Sequence, residues 1–233
     1  MLFNSIDFAI FVPIVFILYW FVFKSLKSQN VLLIIASYVF YAWWDWRFLG
    51  LIIVSTLIDY SIGLAIEKQT NLKSKKAYLT LSILLNLSIL GFFKYYNFFI
   101  ENFNAFQLFG RDLDLNYLNI ILPVGISFYT FQTMSYSIDI YRNKIKPTTN
   151  LVAFASFICF FPQLVAGPIE RASSFLPQVE KRRVFNYIKA TDGLKQILWG
   201  LFKKMVIADN CAVFVNDIFE NHANYSGSTL LFG

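Results

Sequence analysis

Long apolar runs separated by short charged breaks dominate the chain. The first five are Phe8–Phe23, Val31–Trp46, Phe48–Ile66, Ala77–Phe99 and Asn119–Ile140, and each predicts a helix able to sit in a bilayer. The 16 residues of the first run cover only about 24 Å of a hydrocarbon core near 30 Å, so the shortest runs borrow flanking residues. A sixth run, Leu151–Val165, is shorter, contains Pro162 and ends in Gly167–Pro168. Beyond it the period changes. Leu194, Ile197, Leu198, Leu201, Phe202 and Met205 repeat on one helical face within Val184–Ala208, with Lys195, Lys203 and Lys204 off that stripe. This predicts either an amphipathic helix on the membrane interface or a packed helix with a solvated basic edge. Asn216–Ser228 reads as a polar loop, and Thr229–Gly233 as the first turn of another apolar segment.

Charge in the breaks sets a topology. Lys24 and Lys27 follow the first run, Lys68, Lys73, Lys75 and Lys76 the third, and Arg142, Lys144 and Lys146 the fifth. The intervening breaks hold Asp45 with Arg47, and Glu101, Arg111, Asp112 and Asp114. Basic breaks face the cytoplasm, so the amino terminus lies outside, and Tyr38, Tyr41, Trp43, Trp44 and Trp46 fall at the outer interface that amphipathic rings favour. Met1–Asp7 holds no Lys or Arg, so the first run reads as a retained helix, not a cleaved signal. If the sixth run crossed, basic Arg171–Arg183 would lie outside; a re-entrant segment entering and leaving on the cytoplasmic side obeys the charge rule instead.

Composition agrees. Hydrophobic residues make up 57% of the 233 and charged ones 15%, with mean hydropathy +0.55, whereas soluble domains carry about 25% charge. That excludes a disordered chain and a conventional cytosolic enzyme, and Cys159 and Cys211 offer no disulfide or metal framework. The net charge of +6 sits in orientation signals, so it does not point to nucleic acid. The fold class is all-α: a single membrane domain over residues 1–233, a polytopic transmembrane bundle with a re-entrant segment and an interfacial amphipathic helix.

Polar groups at membrane depth are the candidates for chemistry. In the fifth run Gly125, Phe128, Gln132, Ser135, Asp139 and Arg142 share one face, beside the hydroxyls of Tyr129, Thr130, Thr133, Tyr136 and Ser137. That face is either interhelical glue or the wall of a polar tunnel. Pro123 and Gly125 predict an opened or kinked helix. Asp59 lies inside the third run with no partner that the sequence names, and Lys94 either serves a site or snorkels. Glu170 and Arg171 form a local ion pair or the rim of a polar mouth. The lone histidine, His222, sits in a polar loop and takes no catalytic role; no metal or nucleotide motif occurs.

Several stretches resemble the bacterial branch of the membrane-bound O-acyltransferase family, nearest its alginate-acetylating members. They are Ala36-Ser-Tyr-Val-Phe-Tyr-Ala-Trp-Trp44, Phe93-Lys-Tyr-Tyr-Asn-Phe98, Ile121-Leu-Pro-Val-Gly-Ile-Ser-Phe-Tyr-Thr-Phe-Gln132 with Ser135-Tyr-Ser-Ile-Asp-Ile-Tyr-Arg142, Phe160-Phe-Pro-Gln-Leu-Val-Ala-Gly-Pro-Ile169 and Gly200-Leu-Phe-Lys-Lys-Met-Val-Ile-Ala-Asp209. The resemblance implies a multi-pass protein of the cell membrane that moves an acetyl or acyl group from a cytoplasmic thioester donor (acetyl-CoA or an acyl carrier) towards a polysaccharide outside. It further implies an extracytoplasmic esterase-like transferase as partner, a surrounding of membrane lipid, and no bound cofactor. Gln132, Tyr136, Asp139 and Arg142 then line or brace the tunnel, and Glu170, Arg171, Lys203 and Lys204 stand at its cytoplasmic mouth. The family's catalytic Trp-His motif does not occur, so the chain reads as the N-terminal part of a longer domain, without a catalytic residue and inactive alone. A solute transporter or a non-catalytic scaffold for an acetylating partner are the rival readings.

Overall fold

The computed structural model describes residues 1–105, 118–165 and 167–232. Arg111, Asp112 and Asp114, which the charge pattern puts in the second outer break, lie outside the described residues. The chain forms two compact units, Met1 with Ile14–Arg182, and Leu2–Pro13 with Arg183–Gly233. Every regular element among the described residues is helical.

The apolar runs become helices with recognisable stops. Helix α1 (Ile6–Ile17) continues through a wide π-type turn, Leu18–Val22. Helix α2 (Leu26–Asp45) starts at Ser25, whose hydroxyl accepts from the Ser28 amide. A short 3-10 turn, Trp46–Phe48, joins it to α3 (Leu49–Lys68). In that turn the Arg47 guanidinium grips the Asp45 carboxylate and holds it below the usual carboxylate range. Helix α4 (Leu72–Leu90) runs on through a π-type turn, Gly91–Tyr95, into α5 (Tyr96–Ala105), so the fourth helix outruns the predicted Phe99. Two helical stretches, Leu26–Lys68 and Leu72–Phe103, are long and apolar enough to cross a membrane; Ile6–Val22 and Leu151–Leu164 are apolar but shorter.

The fifth run departs from its prediction. Only α6, Ile126–Tyr141, is helical; residues 118–124 are irregular. Pro123 has no amide proton to give a helix, and Gly125 takes φ of 74°, which stops helix propagation backwards. The sixth run is broken as well. Helix α7 (Leu151–Ile158) ends at Cys159, a four-residue α8 (Phe161–Leu164) follows, and α9 (Ala172–Glu180) packs back on α7.

In the larger unit a set of polar side chains is buried beside the apolar core, and large apolar ones also face outward. Asp59, Ser82, Asn86, Thr133 and Ser137 are buried, while Ile35, Val39, Leu84 and Phe98 face outward. Trp43, Trp44 and Trp46 are also exposed, at the carboxyl end of α2. Lipid demands this arrangement, because it solvates apolar side chains and leaves polar ones to pair internally.

The smaller unit holds α10 (Tyr187–Phe202), a π-type turn (Lys203–Ala208) and α11 (Asp209–Glu220) in one continuous helix, then α12 (Gly227–Phe232). The helix therefore extends past the predicted Ala208 and takes the first residues of the expected loop, Asn216–Glu220. None of its residues is buried, and the stripe of Leu194, Ile197, Leu198, Phe202 and Met205 is exposed.

Candidate functional site

Breaking two helices inside an apolar bundle strands backbone groups, and their satisfaction defines the site. The carbonyl of Phe157, near the carboxyl end of α7, accepts from Gln132 Nε2 of α6 at 2.8 Å. The Phe161 amide that opens α8 donates to Ser37 Oγ of α2 at 3.1 Å. Ser156 donates to the Asn30 carbonyl, and the Asn30 amide group donates to the Val179 carbonyl of α9. The Tyr136 hydroxyl accepts from the Thr148 amide at 3.2 Å, and its ring lies 4.6 Å from that of Phe154.

These bonds trace a hairpin. The chain reaches α2 beside Asn30 through Ser156, meets Ser37 and Phe40 at Phe161, and returns to Asn30 at Val179. Seven to ten residues of α2 separate these levels, about 10–15 Å. Aromatic contacts close the fold: Phe175 of α9 packs on Phe157 at 5.8 Å and on Phe160 at 5.2 Å.

The two breaks touch. A Cβ built on Gly125 would stand 2.1 Å from the Leu164 carbonyl oxygen, so only glycine lets the start of α6 approach the end of α8. Gly63 does the same for Tyr136, whose Cε1 lies 2.7 Å from a Cβ placed there. Lys94, inside the fourth apolar run, is exposed, with Nζ 3.5 Å from Ser127 Oγ and 5.5 Å from the Tyr95 ring centroid.

Beside this lies a buried polar cluster from three helices. Asp59 of α3 accepts from Ser82 Oγ at 2.8 Å and, on both oxygens, from Asn86 Nδ2 at 3.0 Å, both on α4. Thr133 of α6 donates to Asn86 Oδ1 at 2.9 Å, and Ser82 lies 3.0 Å from Ser137. Among the described residues neutral donors hold the Asp59 carboxyl group.

The expected site residues are thus divided. Gln132 and Tyr136 are buried and brace the hairpin; Asp139 is 6% exposed, and Arg142 is exposed just past the end of α6. Glu170 accepts from the Ser174 hydroxyl at 3.1 Å, at the entry of α9. It also lines a cleft of about 340 Å³ with Gln163, Gln178 and Phe160. Lys203 and Lys204 belong to the smaller unit, where Lys203 lies over the Trp199 ring and Lys204 pairs with Asp209. Sequence reasoning missed Asn30, Ser37, Ser82 and Asn86. The last two carried a signal: polar residues four apart inside an apolar run share one helical face.

No family model matches the chain, and no solved structure matches it. Curated relatives do. It is 39% identical over 222 residues to the probable alginate O-acetylase AlgI of Azotobacter vinelandii, covering 94% of this chain and 44% of the relative. The protein of the same name from Pseudomonas putida is 38% identical, covering 94% and 45%. The peptidoglycan O-acetyltransferase of Helicobacter pylori is 33% identical over 256 residues, covering 97% and 48%. The chain therefore spans somewhat less than half the length of these relatives.

Proposed function

We propose that this chain belongs to the membrane-bound O-acyltransferase family and forms part of an enzyme passing acetyl groups from a cytoplasmic thioester to a polysaccharide outside the cell membrane. The observation that carries the reading is the similarity, along nearly the whole chain, to relatives named for O-acetylating two different polymers, alginate and peptidoglycan. The donor is acetyl-CoA or an acyl carrier, and an esterase-like extracytoplasmic partner completes transfer. In this reading the chain is multi-pass with its amino terminus outside. The hairpin Leu151–Glu180 is re-entrant: it enters and leaves beside Asn30, near the basic start of α2, and reaches about halfway across the core. At its first break Cys159 and Phe161 are buried, whereas Gly167, Pro168 and Ile169 after α8 are exposed on this chain; a bilayer tolerates such backbone only against protein or beside water. Gln132, Tyr136 and Asp139 brace the path, with Arg142, Glu170, Arg171, Lys203 and Lys204 towards the cytoplasm. The exposed apolar stripe of α10 lies in the interface. The reacting imidazole, general base or acyl relay, comes from outside this chain.

Two measurements test this. The complete reading frame encoding the chain, expressed in its native host, is expected to O-acetylate a cell polysaccharide, whereas residues 1–233 alone transfer no acetyl from acetyl-CoA. Transfer by the chain alone, or none by the complete protein, overturns the reading. For the orientation, Lys75→Cys and Lys144→Cys in a Cys211→Ser background, needed because Cys211 is exposed, are expected to resist an impermeant thiol reagent added to intact cells. Labelling of both from outside reverses the topology.

A further inference from the structure

A cleft of about 340 Å³ opens on the hairpin of the larger unit. Phe160 and Gln163 line it from the first arm, Phe175 and Gln178 from α9, and Glu170 from the link between them. Its polar groups are acceptors. Gln163 Nε2 donates to the Pro168 carbonyl at 3.2 Å, and Gln178 Nε2 donates to the Ser174 carbonyl at 3.0 Å. Those bonds turn the donor nitrogens of both amides onto the backbone, and among the described residues no bond reaches either amide oxygen. The half-buried Glu170 carboxylate accepts one neutral hydrogen bond, from Ser174. Among the described residues no cation pairs with it. Beside these oxygens stand the rings of Phe160 and Phe175, tilted by 55° with centroids 5.2 Å apart.

We infer that this cleft seats the primary ammonium of an aminophospholipid headgroup, of the phosphatidylethanolamine type. The inference rests on the membrane placement of the hairpin proposed above and not on acyl transfer. An ammonium offers three N–H donors and no acceptor, the complement of a carboxylate and two amide oxygens. Aromatic rings attract such a cation within about 6 Å of their centroids. An anion would instead be repelled by Glu170, and an apolar group would leave the acceptors desolvated without partners. Two chain neighbours extend the match from an amine to a lipid. Arg171, the next residue, is exposed, and its guanidinium bonds to no side chain among the described residues. A phosphate two carbons from the ammonium suits that fork. Ile169, on the other side of Glu170, is 45% exposed and offers apolar surface to an acyl chain. The level agrees as well: Gln178 precedes Val179, whose carbonyl is held by Asn30 near the basic start of α2. In the proposed topology that is where the cytoplasmic headgroups lie.

The test uses the complete protein in detergent and titrates the rise in its melting temperature against added lipid. Phosphatidylethanolamine is expected to act at a concentration about 10-fold below that of phosphatidylcholine, whose methylated nitrogen keeps the charge but has no N–H. Phosphatidylglycerol, which has no ammonium, is expected to be as weak as phosphatidylcholine. Glu170→Gln keeps an acceptor for Ser174 and is expected to weaken the phosphatidylethanolamine response about 10-fold, with the melting temperature in detergent alone unchanged. Equal responses to the three lipids, or a wild-type response in Glu170→Gln, overturn the inference. Free phosphoethanolamine acting as strongly as the lipid overturns it too, since the acyl chains then contribute nothing. Where Glu170→Gln does not fold, the comparison of lipids on the wild-type protein decides. Acetylation activity bears on the enzyme reading alone, so the two fail separately.

Discussion

Replacing Gly125 by alanine is expected to destabilise the larger unit by about 3–5 kcal/mol, among the largest effects a single methyl group can have. Two costs add. The φ of 74° is left-handed backbone that costs an L-residue about 1–2 kcal/mol. The new Cβ would also stand 2.1 Å from the Leu164 carbonyl oxygen, and that oxygen is backbone, so no side-chain rotation relieves it. Either α6 withdraws from α8 or the hairpin shifts by about 1 Å, and a packed interior resists both. Two other glycines separate the terms. Gly167→Ala keeps the strain, at φ of 126°, with nothing within 4 Å of the added methyl, and is expected to cost about 1–3 kcal/mol. Gly50→Ala, in α3 with open space around it, is expected to be neutral or stabilising by up to about 1 kcal/mol. Unfolding in detergent measures all three. A Gly125 variant no worse than the Gly50 variant would show that the two broken segments do not meet.

The contrast between Gly125 and Asp59 shows what the sequence can disclose. Breaks are local: Pro123 removes an amide proton and Gly125 admits a left-handed φ whatever surrounds them, so the interruption of α6 is legible from its own residues. The apolar runs are legible for the same reason, since hydrocarbon selects length and composition segment by segment. Partners are not local. Asn86 lies 27 positions from Asp59 and Thr133 another 47 from Asn86, and nothing in three apolar runs says which faces meet. Gln132 was legible as a polar group at depth, but its acceptor, the Phe157 carbonyl, exists only because α7 stops there. The rod of α10 and α11 was misjudged at its far end because Asn216 and Asp217 are poor helix formers in isolation, and a helix already propagating carries through them.

Removing Asn86 is expected to cost more than removing any other donor in the Asp59 cluster, and the size of the difference identifies what the cluster does. Neutral hydrogen bonds between membrane helices average about 0.6 kcal/mol. A buried acid stripped of its donors costs about 1–3 kcal/mol instead, because lipid offers no substitute. Asn86→Ala takes the donor that bridges both Asp59 oxygens. It leaves Thr133 satisfied, since that hydroxyl also donates to the Thr130 carbonyl. The loss, about 2–3 kcal/mol, therefore falls on Asp59. Ser82→Ala removes one donor of the set and is expected to cost about 1 kcal/mol. In the double variant Asp59→Ala with Asn86→Ala the stranded carboxylate is gone, so the combined cost should fall about 2 kcal/mol short of the sum of the singles. Additive losses near 0.6 kcal/mol at each position would mean interchangeable glue. With coupling of the expected size, the Asp59 cluster sets how α3, α4 and α6 stand against one another. The same α6 delivers Gln132 to the Phe157 carbonyl, so loosening the cluster should also loosen the hairpin at the break where α7 gives way to α8.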